Sequence, residues 1–356
     1  MAMQQGPGRR PSCALRWVFP MCFAVLAPPL AAQAPEGRAS DAIGATNVTV
    51  ERIGNGPVIR PDMAGLEGAL GDNIDGPSVI RVPSWIEKPL GKYYMYFGHH
   101  RGTYIRLAYA DRPEGPWTVY KPGTLRLDQT SALHHIASPE AVVDEANKRI
   151  LLYYHGATEM PGGYYGGRPY AQRSFVAASS DGVSFRNETG PIAMPYLRVF
   201  GYKSATYGFA MSDKASAYPL WLRSGQFFRS ETMTAPFEAG PRILDEMRHA
   251  GLTVIGDQLH IFYTNVGESP ERIYHSSVDL RPDWTDWTAT MPTEVLRPER
   301  AYEGATRPLS ISQGGPAKGF ENALRDPAIL QDDGRIYLYY SVAGEKGIAV
   351  ARVSIK

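Results

Sequence analysis

The sequence predicts an all-β protein, a five-bladed β-propeller, on three observations. Apolar strands, most of them rich in tyrosine, recur five times between residues 92 and 340. Each follows a shorter apolar strand after a tight turn, which is the arrangement of a β-hairpin. The chain has 36 Gly, 29 Pro and 21 Tyr, a composition that favours many short strands and turns over long helices.

The predicted strands form one repeating unit. The tyrosine-rich strands are residues 92–97, 149–154, 219–222, 258–263 and 335–340, and the shorter strands before them are residues 78–82, 141–143, 207–211, 252–255 and 327–330. In four units a third strand follows, at residues 105–110, 174–178, 272–276 and 347–351. Antiparallel units that repeat at uneven spacing indicate a propeller with insertions between its blades.

The last unit ends after three strands, so we expect residues 47–53 to supply its outermost strand. This strand would close the ring and cover an exposed sheet edge. One propeller domain is therefore predicted for residues 35–356, without a second core.

Residues 1–34 have the order of a secretory signal peptide, with arginines first, an apolar stretch at residues 17–27 and small residues before position 35. The apolar stretch is too short to span a bilayer, so no membrane anchor is predicted. Both cysteines, Cys13 and Cys22, lie in this segment, and an exported chain without cysteine suits a bacterial periplasm or medium. We expect a secreted or periplasmic bacterial protein.

The composition and motifs exclude several functional classes. Lys and Arg number 37 against 36 Asp and Glu, a balance that argues against nucleic acid as a partner. The sequence has no serine-esterase elbow, zinc-protease helix, phosphate-binding loop or dinucleotide-binding fingerprint. No obligate protein partner is evident from the sequence.

Propeller geometry gathers polar residues at one end of the central channel. The first strand of each blade lines the channel, and the turn between the second and third strands returns to the end where the first strand starts. We expect these two places to enclose a small ligand. The predicted strand starts carry Asp75, Ser138, Glu140, Lys203, Arg248, His249, Arg325 and Asp326, and the turns carry His99, His100, Arg101, His155, Thr264, Asn265, Glu345 and Lys346.

Five fragments resemble the five-bladed propeller glycoside hydrolases of family 43 and their relatives. They are Asp75-Gly76-Pro77-Ser78-Val79-Ile80 and residues 92–97, 111–117, 180–185 and 325–329. The resemblance implies hydrolysis of glycosidic bonds with inversion. In that family an Asp on the first blade is the general base, an Asp on the second modulates it and a Glu on the third is the general acid.

The resemblance assigns some of these roles in this sequence and leaves one open. Asp75 matches the base and Glu140 the acidic position of the second blade, but residues 201–207 of the third blade contain no carboxylate. Either Glu140 or a histidine would then donate the proton, as a histidine is thought to do in related agar-cleaving propellers. His135, His155 and His249 fall near the predicted mouth, and His135 is taken as the catalytic candidate among them.

The remaining polar residues at the mouth are predicted to bind substrate, and some have plainer interpretations. The predicted binding residues are His99, His100, His155, His249, Arg248, Arg325 and Asp326. Asp75 before a glycine is also typical of a turn, and Glu140 of a solvated strand end. Arg325 and Asp326 could form a structural ion pair, and at most one of His99 and His100 can face the channel.

The sequence thus predicts an exported glycoside hydrolase that acts on a carbohydrate. No cofactor and no catalytic metal is required by the predicted chemistry, although a structural calcium ion in the channel is compatible with it. Two alternatives stay open: a non-catalytic carbohydrate-binding propeller, and a lyase that acts on uronic-acid polymers.

Overall fold

The strands form five antiparallel sheets of four strands each, and each sheet is one blade of a propeller. In this computed structural model, residues 47–159, 170–213 and 223–356 are described. The predicted signal peptide, residues 1–34, and the predicted strand at residues 219–222 lie outside the described residues. In the described part of the chain, no helix has the length and apolar character needed to cross a membrane.

The blades follow one another along the chain. Blade 1 contains β2 (Asp75–Arg81), β3 (Tyr93–Gly98), β4 (Arg106–Ala110) and β5 (Thr118–Tyr120). Blade 2 contains β6 (Leu133–Asp144), β7 (Arg149–Glu159), β8 (Tyr170–Ser179) and β9 (Arg186–Ala193). Blade 3 contains β10 (Arg198–Tyr202), β11 (Ala205–Asp213), β12 (Arg223–Ser230) and β13 (Glu238–Asp245). Blade 4 contains β14 (Met247–Ile255), β15 (Gln258–Asn265), β16 (Ile273–Asp279) and β17 (Thr293–Leu296). Blade 5 contains β18 (Arg325–Asp332), β19 (Arg335–Ser341), β20 (Ile348–Ile355) and the N-terminal strand β1 (Val48–Arg52). Short 3-10 helices lie at Gly68–Leu70, Leu127–Gln129, Trp284–Asp286 and Ala301–Glu303.

The N-terminal strand closes the ring, as predicted. β1 pairs with β20 from Val48 opposite Ile355 to Arg52 opposite Ala351. The five inner strands contact one another in sequence, and β18 contacts β2 to complete the circle. Arg52 also donates a hydrogen bond of 2.7 Å from Nε to Glu303 Oε1, which fastens β1 to the loop after blade 4.

The hydrophobic core consists of five clusters, each between two neighbouring blades. Alternation along β3 shows how this arises, because neighbouring side chains of a strand point to opposite faces. Tyr93 and Met95 pack toward blade 5, whereas Tyr94 and Tyr96 pack toward blade 2. The side chains of the tyrosine-rich strands are thus used in packing between blades. We therefore expect the functional residues at the ends of the channel.

The strand assignment predicted for blade 3 was wrong by one strand. Residues 207–211, predicted as its first strand, belong to β11, the second strand, and β10 is innermost. The five residues of β10 include a glycine and begin with an arginine, so they lack the apolar pattern of the other inner strands. Lys203 consequently lies in the turn between the first and second strands, away from the mouth, with its Nζ 4.9 Å from the ring centre of Tyr202.

Candidate active site at the mouth of the channel

In every blade the inner strand has a β-bulge in or just before it, at one end of the channel, which we call the mouth. In β2, Asp75 pairs with Gly98 and Ser78 with Tyr96, so three steps along β2 match two along β3. The inner strands of the other blades shift in the same way. A bulge bends its strand and re-aims the neighbouring side chains. The first bulge positions, blade by blade, are Asp75, Ala137, Pro195, Met247 and Arg325.

This repeated bulge corrects the position assigned to Glu140. Ala137 pairs with His155 and Glu140 with Tyr153, so it is Ala137 that occupies the place of Asp75 in blade 2. Glu140 occupies the place of Ser78, which lies three residues further along the inner strand and therefore deeper in the channel. Among the described residues, neither blade 2 nor blade 3 therefore places at the mouth the acidic residue that the resemblance implies.

Asp75 is buried at the mouth and has one oxygen without a partner. The residue is 2% exposed. The Oδ2 atom lies 3.6 Å from His100 Nδ1, whereas Oδ1 has no hydrogen-bond partner among the described residues. Gly98 provides the space for this carboxylate, since a Cβ at that position would lie 2.8 Å from Oδ1. Buried polar atoms are normally hydrogen-bonded, so Oδ1 is available to a water molecule or a substrate.

His100 reaches the site from the turn after β3 and joins two carboxylates. Its Nδ1 lies 3.4 Å from Glu345 Oε1 as well as 3.6 Å from Asp75 Oδ2. Burial lowers the pKa of His100, but the neighbouring carboxylates of Asp75 and Glu345 outweigh it and raise the pKa to about 9. His99 points elsewhere, since its Nδ1 accepts a hydrogen bond of 3.1 Å from the Arg101 amide. One histidine of the pair therefore faces the channel, as predicted, although both lie in the turn after β3 and not on the strand.

Arg325 is enclosed by glutamates. Its guanidinium donates hydrogen bonds to Glu271 (2.8 Å), Glu345 (3.1 Å) and Glu321 (2.7 Å). Each of the three guanidinium nitrogen atoms thus donates to a glutamate, and Asp326 is not among the partners. Arg325 therefore builds the wall of the mouth from blade 5.

Arg248 forms the same wall from blade 4. It donates hydrogen bonds to the carbonyl oxygens of Gln313 (2.9 Å) and Gly315 (2.6 Å), in the loop that leads into blade 5. Its Nη2 also lies 3.6 Å from Glu345 Oε1. Burial would raise the pKa of Glu345, but His100 and the two arginines hold it well below its usual value.

His249 and Asp326 form a histidine–carboxylate pair. His249 Nδ1 contacts Asp326 Oδ1. The other carboxylate oxygen, Oδ2, accepts hydrogen bonds from Ser341 Oγ (2.9 Å) and the Gly76 amide (3.4 Å). A carboxylate held in this way fixes the orientation of the ring and places its proton on Nδ1. The described part of the chain offers no hydrogen-bond partner to the buried Nε2, and the contact between Nδ1 and Asp326 does not have the geometry of a hydrogen bond.

Tyr196 completes the mouth and was not predicted from the sequence. Its ring centre lies 4.3 Å from that of His155 and 4.2 Å from that of His249. It stands at the second bulge position of blade 3 with a φ of 62°, as Asp326 does in blade 5 with a φ of 50°. Tyr196 stands just before the first strand of blade 3, so the strand-start rule would have found it. The prediction took the second strand of that blade as the first and therefore missed it.

The other histidines predicted at the mouth are buried beside Tyr196. His155 and His135 have ring centres 5.6 Å apart. Burial lowers the pKa of His155 well below its usual value, and it lowers that of His135 to about 4. Burial, Arg248 and Arg198 likewise lower the pKa of His249. These three imidazoles are consequently neutral at neutral pH, in contrast to His100.

Glu140 lies in an ion pair that crosses the channel below the mouth. Its Oε2 accepts hydrogen bonds from Arg198 Nη1 (2.6 Å) and Ser78 Oγ (3.0 Å). Arg198 also donates to the carbonyl oxygens of Pro139 (3.0 Å) and Ala250 (2.7 Å). The pair joins blades 1 to 4 and gives Glu140 a structural partner on its carboxylate.

We expect Glu140→Gln to lower stability while turnover stays close to that of the unchanged protein. The substitution leaves the buried Arg198 with a neutral partner, which costs about 1–3 kcal/mol. Chemical denaturation and a turnover assay measure the two effects. The double variant Glu140→Gln with Arg198→Met is the control, because removing both charges should restore part of the lost stability. A folded Glu140→Gln protein without turnover would instead make Glu140 the proton donor.

Buried histidines make the fold sensitive to acid. The pKa of His135 and that of His275 are both lowered by burial, from 6.5 to about 4. The unfolded chain therefore binds more protons than the folded one as pH falls from about 6.5 toward 4, and stability is lost over that range. We expect a loss of about 2 kcal/mol for each histidine at pH 5. Denaturation between pH 7 and pH 5 measures it, and a constant stability over that range would contradict the prediction.

Among the described residues, one group has the donors and spacing of a metal site. The candidate ligand atoms of Asp75, His100 and Glu345 all lie within 4.8 Å of one another. Calcium prefers six to eight oxygen ligands, whereas this group supplies two carboxylate oxygens and one imidazole nitrogen. The group therefore fits calcium poorly, and the predicted structural calcium stays a prediction.

No family model matches the chain. The chain is 35% identical over 316 residues to the uncharacterized protein R118 of Acanthamoeba polyphaga mimivirus, a match that covers 79% of this chain and 83% of that protein.

Solved structures similar to this chain share its fold at low identity. An endo-1,4-β-xylanase from Bacteroides thetaiotaomicron is 13% identical, with 84% of this chain and 96% of that chain covered and a TM-score of 0.56. A family-43 β-xylosidase/α-arabinofuranosidase from a compost metagenome, in complex with xylotriose, is 12% identical, with 86% and 95% covered and a TM-score of 0.54. An N-acetylgalactosamine deacetylase from F. plautii, in complex with blood group B trisaccharide, is 10% identical with the same coverage and TM-score.

Proposed function

The chain belongs to the protein family of the mimivirus protein R118 and has the five-bladed propeller fold of family-43 glycoside hydrolases, and from this we propose that it is a glycoside hydrolase. The proposal includes export to the periplasm or medium, as the first 34 residues predict. Its substrate is a carbohydrate, in keeping with the xylotriose and blood group trisaccharide bound by proteins of the same fold.

One observation carries the proposal: the buried polar atoms at the mouth that have no hydrogen-bond partner in the described residues include one of Asp75 and one of His249. Asp75 presents Oδ1 from blade 1, and His249 presents Nε2 from blade 4. Both are held by neighbours on their other side, Asp75 by His100 and His249 by Asp326. Hydrolysis with inversion needs two such groups on opposite sides of the scissile bond.

The proposed reaction is a single displacement. Asp75 accepts a proton from a water molecule, whose oxygen forms a bond with the anomeric carbon as the glycosidic bond breaks. The departing oxygen takes its proton from Nε2 of a protonated His249, which Asp326 keeps in position and stabilises as a cation. Tyr196, packed against His249 and His155, forms the apolar floor for a sugar ring.

A groove beside the mouth offers space for further sugar units. It has a volume of about 500 Å³ and opens between blades 1 and 2. Thr103, Thr130 and His134 are among the residues that line it, and His134 directly precedes the buried His135. Hydroxyl groups and a ring nitrogen along such a groove suit the hydroxyl groups of an oligosaccharide.

The protonation of His249 sets the expected pH dependence of the reaction. Because burial and nearby cations lower its pKa well below 6.5, the donor form is a minor species at neutral pH and grows as the solution is acidified. We expect kcat/KM to rise by up to about tenfold per pH unit from pH 8 to pH 6. Initial rates over that range measure it, and a rate that falls on acidification would contradict His249 as the donor.

A panel of polysaccharides and oligosaccharides tests the function itself. Release of reducing ends would support a hydrolase, and release together with an ultraviolet-absorbing unsaturated end would identify a lyase instead. Binding without release would favour a carbohydrate-binding propeller, which the missing carboxylates of blades 2 and 3 make the rival interpretation. The Asp75→Asn protein is the matched control, since we expect it to keep the fold while it loses the proposed base.

A further inference from the structure

The mouth also contains a group of candidate metal ligands, next to the residues proposed to transfer protons. We propose that Asp75, His100 and Glu345 bind a divalent transition-metal ion. The ligand atoms are Asp75 Oδ2, His100 Nδ1 and Glu345 Oε1. The residues come from the first strand of blade 1, the turn that follows β3, and the corresponding turn of blade 5.

The spacing of the ligand atoms matches a small metal ion. His100 Nδ1 lies 3.6 Å from the Asp75 oxygen and 3.4 Å from the Glu345 oxygen. Neighbouring ligands of a tetrahedral ion with bonds of about 2.1 Å are about 3.4 Å apart. The candidate ligand atoms of all three residues lie within 4.8 Å of one another, so an ion fits between them once they draw together.

The donor set selects the class of ion. One imidazole nitrogen with two carboxylate oxygens suits Zn²⁺, Mn²⁺ or Co²⁺, whereas Ca²⁺ and Mg²⁺ take oxygen ligands almost exclusively. Three protein ligands also leave a coordination position for water, which is the arrangement of catalytic rather than structural zinc sites.

Neighbouring residues hold the ligand residues in place through hydrogen bonds, as in established metal sites. Asn73 Oδ1 accepts a hydrogen bond of 2.8 Å from the His100 amide, and its side-chain nitrogen donates to Glu345 Oε2. The Ala317 amide donates to the same Glu345 oxygen at 3.1 Å. Arg325 donates to Oε1 at 3.1 Å and fixes the second lone pair of that oxygen. One side chain, Asn73, thus positions two of the three ligands.

The charge around the site supports a dication. Ion pairs join the charged residues around the site into one cluster. It contains His100, two guanidinium groups and four carboxylates: Arg248, Arg325, Asp75, Glu271, Glu321 and Glu345. With a neutral imidazole the cluster has an excess of two negative charges. A divalent ion cancels both. The unpartnered Asp75 Oδ1 shows independently that the hydrogen bonding of this carboxylate is incomplete.

The chemical consequence of the ion rests on the proposed function, whereas its binding does not. An ion on Asp75 Oδ2 would leave Oδ1 directed at a water molecule on the open coordination position. A bound divalent ion lowers the pKa of such a water molecule, so the metal and Asp75 would together supply the attacking water.

Metal binding to the protein without substrate tests the proposal. Untagged protein is treated with a chelator, dialysed and titrated separately with Zn²⁺, Mn²⁺ and Ca²⁺ by calorimetry, and the bound metal is counted by mass spectrometry. We expect one equivalent of Zn²⁺ or Mn²⁺ and no stoichiometric Ca²⁺. His100→Gln and Asp75→Asn should each weaken binding by at least about tenfold, and circular dichroism verifies that both variants are folded.

His134→Gln is the matched control, because His134 is an exposed histidine outside the ligand set. Its affinity for the metal should equal that of the unchanged protein. With Co²⁺ as probe, the unchanged protein should show the visible absorption of a low-coordinate site and His100→Gln should lose it. Failure of the unchanged protein to bind, or equal binding by His100→Gln, would overturn the metal site and leave the hydrolase proposal standing.

Discussion

Asp75→Asn is expected to reduce turnover by about 10²–10⁴-fold while the protein stays folded. The amide has the shape of the carboxylate but cannot accept the proton of the attacking water. Asp75 is buried, its Oδ1 has no partner in the described residues, and its Oδ2 faces His100. Initial rates on the substrate identified by the panel, together with thermal unfolding, measure the effect.

Asp72→Asn is the matched control for this substitution. Asp72 lies three residues earlier, is exposed, and uses its backbone carbonyl rather than its carboxylate to contact Lys346. Its loss of charge should leave turnover unchanged. Full activity in Asp75→Asn, or equal losses in both variants, would mean that the acid at the start of β2 is not the base.

Arg325→Met is expected to lower the free energy of unfolding by about 3–5 kcal/mol, the largest effect on stability that we predict. The arginine is 1% exposed and donates to three glutamates, of which Glu271 is fully buried. Removing it leaves several carboxylates in the interior without their cation. Urea denaturation at neutral pH measures the loss.

An exposed arginine of the same blade provides the comparison. Arg335→Met, at the start of β19, should change stability by less than about 0.5 kcal/mol, because this side chain is in contact with solvent. A loss below about 1 kcal/mol for Arg325→Met would show that the glutamates relax into solvent or take up protons, and that the wall of the mouth is not built on Arg325.

The fold could be predicted because its signal is local and repeated. Tyr93, Tyr94 and their equivalents alternate between two blade interfaces, and this period of two is visible in the sequence. The unpaired third strand of the last unit also predicted closure by β1. Blade 3 was the exception, because β10 is short and polar at its start, and its place in the sheet depends on pairing with β11.

The candidate site could be predicted only in part, because bulges and ion pairs are not visible in sequence. The strand-start rule identified Asp75, His249 and Asp326 as residues of one mouth, and the structure brings them there. The rule gave no information on the register of the strands, so Glu140 was predicted at the mouth, whereas it lies deeper in the channel. Tyr196 was missed because the first strand of blade 3 was predicted one strand too late in the chain.

The partners of the charged residues depend on contacts that are distant in sequence. Arg325 meets Glu271, 54 residues earlier, and Asn73 meets Glu345, 272 residues later. A sequence with balanced acids and bases does not reveal which of them are enclosed together. The sequence therefore left open whether Arg325 binds substrate or forms a structural ion pair, and the structure adds that three glutamates surround it.

The crystal structure of the Asp75→Asn protein with an oligosaccharide from the panel is the most direct measurement of the central claim. A water molecule should lie between the substituted side chain at position 75 and the anomeric carbon, with the glycosidic oxygen within about 3.2 Å of His249 Nε2. A sugar bound at the opposite end of the channel, or at the mouth with its glycosidic bond away from both residues, would contradict it.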